Sequence, residues 1–169
     1  MNVILICGLN GSGKTTLGRE LANALGFKFL NDEEYYFLES EIPFSKSRSD
    51  EAARDYIISF IKQHKNVVIV SSCGDLGSTI NSFYDLVVYL YAPLDIRLSR
   101  IEKRECDRFS DRVKPGGDMY NQQMEFRNFV ATRSPEKIEK WLSALSCKVI
   151  KSDGTKPIQH NVEFLKSQL

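Results

Sequence analysis

The chain has 169 residues, 42% hydrophobic and 27% charged, a balance that suits one packed domain over 1–169. Its 23 basic and 22 acidic residues leave a net charge of +1, without the basic excess of a duplex-gripping protein. No apolar run approaches the ~20 residues of a bilayer span. The start is too short for a secretory signal and lacks its basic flank. The scattered Cys7, Cys73, Cys106 and Cys147, with no C-x-x-C pair, argue for reduced thiols in a cytoplasmic setting.

The first element, NVILIC (2–7), reads as a strand buried on both faces. It runs into Gly8-Leu9-Asn10-Gly11-Ser12-Gly13-Lys14-Thr15, which fits G-x-x-x-x-G-K-[ST] at every fixed position. A helix is predicted to follow over Lys14–Leu25. Gly8, Gly11 and Gly13 let the backbone curl, so that the amides of the loop, Asn10 and Ser12 included, form an anion nest. The helix adds the positive end of its dipole. Lys14 then lies among the outer phosphates, the Thr15 hydroxyl suits Mg²⁺, and Thr16 reaches an inner phosphate. The loop is expected to hold ATP.

FKFL (27–30) reads as a short strand that delivers Asn31, Asp32, Glu33 and Glu34 to the carboxyl edge of a parallel sheet, where ligands bind. The same acids also suit a helix start. Tyr35, Tyr36, Phe37 and Phe44 follow, as core or as a stacking surface. A helix over Asp50–His64 has Ser49 as its cap. The next strand, VVIVSSC (67–73), ends in serines where motor ATPases carry an acid, and no N-K-x-D string marks a guanine site. Asp32, with Glu33 as rival, is therefore the candidate carboxylate.

LVVYLYA (86–92) is the fourth strand, and a helix is predicted over Leu94–Cys106. If that helix continues, Arg97, Arg100, Arg104 and Arg108 share one face. Glu102, Glu105 and Asp107 are available to pair with this stripe, which makes Arg97 a solvated residue. Arg104, Arg108 and Arg112 are assigned to the moving phosphoryl group. The polar stretch Arg104–Met119 reads as a mobile surface loop, with Gly116-Gly117 as hinge or tight turn. Helices follow over Met119–Thr132 and Pro135–Leu145, the latter capped by Ser134, with Arg127 and Arg133 at the surface. A fifth strand (147–151), a turn through Gly154 and a helix over Pro157–Ser167 complete the chain. Strands that alternate with helices imply βαβ units and a parallel sheet.

The glycine loop, its helix, the short strand and the acid after it resemble the nucleoside-monophosphate kinase and shikimate kinase group of small P-loop kinases. "RFSDRVKPGGDMY" is similar to a stretch in kinases often labelled adenylate-kinase-like. The resemblance implies an α/β three-layer P-loop NTPase fold with a five-stranded parallel sheet, order 2-3-1-4-5. It implies an ATP- and Mg²⁺-dependent kinase of a nucleoside, nucleotide or similar metabolite. Asp32 would position the acceptor hydroxyl or, with Thr15, hold Mg²⁺. A lid around 104–119 would close over the phosphates, and backbone near Gly154 would meet adenine. Two alternatives stay open: a polynucleotide 5′-end kinase, and a non-catalytic nucleotide-gated regulatory protein. No membrane partner is expected, nucleic acid is not favoured, and the chain is expected to be a monomer or weak homodimer.

Overall fold

The computed structural model describes residues 1–169. Five strands, β1 (Asn2–Cys7), β2 (Lys28–Leu30), β3 (Asn66–Ser71), β4 (Leu86–Tyr91) and β5 (Lys148–Asp153), form one parallel sheet in the order β2-β3-β1-β4-β5. This is the expected order. Each crossover carries a helix, because a parallel connection must return the chain to the start of the next strand.

The helices are α1 (Lys14–Leu25), α2 (Asp32–Tyr36), α3 (Asp50–His64), α4 (Ser78–Asn81), α5 (Leu94–Phe109), α6 (Tyr120–Thr132), α7 (Glu136–Ser143) and α8 (Ile158–Lys166). None is long and apolar enough to cross a membrane. Alternate residues of the central strands feed two cores, as the two-residue period of a strand requires. Val3, Leu5, Val67, Ile69 and Val87 pack with Ala53, Ile57 and Ile61 of α3 and with Ile138 and Leu142 of α7. Ile4, Ile6, Val68, Val70 and Val88 pack with Leu17, Leu21 and Ala22 of α1 and with Val162 and Leu165 of α8. The result is three layers, helix on sheet on helix. At Gly18 a Cβ would lie 2.7 Å from the Val70 side chain and 2.8 Å from the Phe29 ring. Glycine at this point therefore lets α1 settle onto the sheet.

The Ser49 side chain caps α3, accepting from the Ala52 amide at 3.2 Å, and Ser134 accepts from the Glu136 amide at 3.2 Å. Most boundaries fall within a residue or two of expectation. Two short helices, α2 and α4, are additions, and the acids after β2 do open a helix.

The loop reading of Arg104–Met119 is corrected. Arg104–Phe109 extends α5, a 3₁₀ turn covers Ser110–Val113, and the remainder is a tight turn. The Met119 amide donates to the Arg112 carbonyl at 3.0 Å, and Arg112 pairs with Asp118 at 2.7 Å. Val113 and Met119 are buried and anchor the segment. Gly116 has φ +90°, and a Cβ at Gly117 would strike the Arg112 carbonyl, so the pair builds a turn between helices.

In a parallel sheet all strand ends of one kind lie on one edge. The glycine loop after β1, the acids after β2, Ser72 after β3, Ala92–Arg97 after β4 and Gly154 after β5 thus converge there.

Candidate active site

The loop between β1 and α1 is shaped by backbone that only glycine accepts easily. Gly11 and Gly13 have φ of +84° and +103°, and a Cβ on Gly8 would run into the Leu90 carbonyl. α1 starts with no side-chain cap and no acid in its first turn, so nothing from the protein neutralises its positive end. The Ser12 hydroxyl is buried at this point without a hydrogen-bond partner. The Thr15 and Thr16 side chains start α1 on a half-buried and an exposed position.

Lys14 is only 6% exposed and folds back so that Nζ donates to the Leu9 carbonyl at 3.4 Å. Burial holds its pKa below the ordinary lysine value. The Asp32 charge is the largest opposing influence, while Arg104 and Arg133 push the same way as burial. Asp32 is shifted oppositely: burial raises its carboxyl, the Lys14 charge lowers it, and Glu33 raises it again. Lys14 and Asp32 thus act on each other's charge without forming a direct ion pair. Both are held in a setting that disfavours their charges.

Beneath the loop lie three guanidinium groups. Arg97, 5% exposed, donates through Nε to the Ala92 carbonyl at 3.2 Å and through Nη1 to the Asn10 carbonyl at 3.3 Å. Arg100 donates to the carbonyls of Ser12 (3.1 Å) and Gly154 (2.9 Å). Arg133 donates to Asn10 Oδ1 (2.9 Å) and to the Ser72 carbonyl (3.0 Å). A curled loop that turns its amides inward must send carbonyls elsewhere, and these arginines receive them. Gly154 joins the same support. Its amide donates to the Tyr91 carbonyl at 2.6 Å, and a Cβ there would lie 2.6 Å from the Ser12 carbonyl oxygen.

These contacts correct two readings. Arg97 is a buried brace and not a solvated residue, because its head is taken by the Ala92 and Asn10 carbonyls; of the acids offered as its partners, Glu105 pairs with Arg127, Asp107 with Lys103, and Glu102 with none. Arg133 is likewise not a surface residue. The signal for Arg97 lay in its place on the first turn after β4, at the ligand edge. For Arg133 no sequence signal was available.

The three arginines assigned to the phosphoryl group separate. Arg104 has no ion-pair or hydrogen-bond partner, and its charge acts on both Lys14 and Asp32. Arg108 makes a bidentate pair with Glu33, with both N···O distances 3.0 Å. Arg112 is occupied by Asp118 within its own turn, and no contact joins it to the loop or to Asp32. In this arrangement it is Arg104, and not Arg112, whose charge reaches Lys14 and Asp32. Tyr35 is core, with its hydroxyl donating to the Val70 carbonyl at 3.1 Å. Phe37, Phe44 and Phe109 pack edge to face upon one another. The end of β3 carries Ser71, whose Oγ accepts from the Gly74 amide. Asp75 is used by the Gly77 amide and the Asn81 side chain.

The residues present fit a nucleotide triphosphate: the cradle would be filled by a Cβ, a buried hydroxyl has no partner, and a buried ammonium is short of negative charge. Thr15 and Asp32 bring oxygen donors of the kind magnesium takes.

Comparison with known proteins agrees with this geometry. Residues 4–127 match a family model described as an AAA domain. The chain is 30% identical over 168 residues to the uncharacterized protein YqaC of Bacillus subtilis (strain 168), covering 95% of this chain and 93% of that one. It is 30% identical over 114 residues to a cytidylate kinase of Saccharolobus islandicus, covering 61% of this chain and 59% of the relative. Its fold is similar to that of a deoxyadenosine kinase from M. mycoides with bound dATP, at TM-score 0.60 and 17% identity over 99% of this chain and 98% of the other. With the glycine loop, the 2-3-1-4-5 sheet and the acid after β2 in place, the chain belongs to the AAA-domain family, in the group of small P-loop proteins built like nucleoside-monophosphate and shikimate kinases.

Proposed function

We propose that the protein is an ATP-dependent phosphotransferase that moves the γ-phosphoryl group to a hydroxyl of a small molecule. The observation that carries this reading is the glycine-shaped loop Gly8–Gly13, which leads into the buried Lys14 and leaves the Ser12 hydroxyl without a partner, with Asp32 opening the helix after β2. Family membership and kinase-like relatives support it.

The loop amides of Gly8–Gly13 and the Lys14 ammonium bind the β- and γ-phosphates. Gly154, braced against Ser12 by Arg100, puts the turn after β5 beside the loop, where its backbone can meet the base. Thr15 and Asp32 would hold Mg²⁺, which when bound neutralises phosphate charge. Asp32 orients the acceptor hydroxyl and receives its proton. The acceptor oxygen bonds to the γ-phosphorus, the bond from that phosphorus to the β–γ bridging oxygen breaks, and ADP leaves. Arg104, free of partners, meets the charge spread over the transferred group.

The test is transfer from γ-labelled ATP to a panel of nucleosides, nucleotides and small alcohols. Asp32→Asn is expected to bind ATP normally and to lose transfer by at least about 10²-fold. Full-rate transfer by this variant would remove Asp32 from the reaction. ATP binding with no transfer to any compound would instead favour a nucleotide-gated regulator.

A further inference from the structure

We propose that the acceptor carries no phosphate of its own, and that Glu33 sets this preference by neutralising Arg108. The inference rests on the kinase reading above and narrows it.

A phosphorylated acceptor needs free guanidinium or ammonium groups on the acceptor side, because phosphate is recognised by charge-assisted, often bidentate hydrogen bonds. On this side lie the three acids that open α2, namely Asp32, Glu33 and Glu34. Of the arginines near them, Arg48 and Arg108 have their N–H groups engaged, and Arg19 has a ring contact alone. Arg48 donates to the carbonyls of Glu34 (2.8 Å) and Phe37 (3.1 Å), closing the end of α2, and lies over the Tyr56 ring. Arg19 lies over the Phe29 ring. Arg108 is paired through both Nη atoms with both oxygens of Glu33. Its guanidinium is also held over two rings, 5.4 Å from the Phe44 centroid and 5.6 Å from that of Phe109. Phe44 also packs on Phe37 and on Phe109, so the cation would forfeit two ring contacts as well as the ion pair if it swung away. Arg104, which has no ion-pair partner, acts on Lys14 and Asp32 and so serves the group in transfer.

A phosphate on the acceptor would have to displace Glu33 from a planar, doubly bonded and stacked guanidinium. It would do so in the repulsive field of Asp32 and Glu34. An unphosphorylated hydroxyl compound meets neither obstacle. Rejection by an occupied cation and nearby like charge is specificity by repulsion.

The experiment uses matched pairs: each nucleoside with its 5′-monophosphate, and each of several sugar alcohols with its monophosphate. Transfer from γ-labelled ATP gives kcat/KM for both members, and calorimetry measures their binding to the full chain. The wild-type protein is expected to use the unphosphorylated member at least about tenfold better. Glu33→Gln keeps the shape but releases Arg108, and the ratio should move toward the monophosphate by about tenfold or more, with monophosphate binding appearing in calorimetry. Adding Arg108→Gln to that variant should abolish the gain. Wild-type preference for monophosphates, or an unchanged ratio in Glu33→Gln, overturns the inference and leaves the kinase reading intact. Loss of all transfer in Glu33→Gln, with ATP still bound, makes Glu33 the essential acid and also overturns it. Absence of transfer from the wild-type protein to any compound defeats both.

Discussion

Replacing Arg97 by Met tests whether the guanidinium tier under the glycine loop is structural support. Met keeps much of the aliphatic stem and removes the charged head. Two carbonyls lose a donor: Ala92, at the end of β4, and Asn10, within the loop. A buried acceptor left unpaired costs about 1–3 kcal/mol, so the gross loss is roughly 2–6 kcal/mol. Against this stands the relief of burying a cation, because burial holds the Arg97 pKa below its usual value. The net expectation is a loss of about 2–3 kcal/mol, or roughly 4–12 °C in Tm for a chain of this size. The loop should loosen as well, since a backbone Cβ at Gly11 would already meet the Arg97 carbonyl at 2.5 Å, which shows how closely α5 and the loop are fitted. The assay is urea denaturation, with and without ATP, on wild type and variant. Arg97→Met is expected to lower the midpoint without ATP, and to reduce ATP affinity about tenfold. A midpoint within about 0.5 kcal/mol of wild type, with ATP affinity unchanged, would refute the bracing role.

Lys14→Met is expected to abolish triphosphate binding yet raise the stability of the free protein by about 1 kcal/mol at pH 7, read by denaturation, because it removes a buried ammonium. The sign follows from the depressed pKa: the unfolded chain holds the Lys14 proton to higher pH, so in wild type stability rises with pH between the folded value and the ordinary lysine value of 10.5, and this rise should vanish in the variant. Gly154→Ala places a Cβ 2.6 Å from the Ser12 carbonyl and 2.8 Å from that of Tyr91; it should cost about 1–3 kcal/mol in thermal denaturation and weaken ATP binding in calorimetry. Arg112→Ala should leave kcat within about twofold of wild type, because its exposed partner Asp118 belongs to the same turn; a loss of about 10²-fold would return Arg112 to the site.

The parts legible in the sequence are those where local chemistry dictates geometry. Gly8, Gly11, Gly13 and Lys14 announce the nest because a backbone at φ near +84° and +103° selects glycine. Asp32 was legible because a strand end in a parallel sheet fixes which edge a residue joins. The shared face of Arg97, Arg100, Arg104 and Arg108 was legible from spacing, but the direction of that face was not. Periodicity gives a stripe and does not say whether water or a loop lies opposite. The pairing of Arg112 with Asp118 was not legible, because the two meet only through a turn anchored by the buried Val113 and Met119. Arg133 was hidden because its partners, Asn10 and Ser72, are 123 and 61 residues away in sequence.

The arginine-bearing helix α5 also acts as a ruler. Arg97 and Arg100 grip the loop at one end, Arg104 serves the middle, and Arg108 meets Glu33 at the other. At about 1.5 Å per residue, the span from Arg97 to Arg108 is roughly 16 Å. One inserted residue after Ile101 would turn the distal pair by about 100° and leave the proximal pair in place. On the proposed reading, a single rod thus sets the distance between the phosphate loop and the acids after β2, and a change in its length would change that distance.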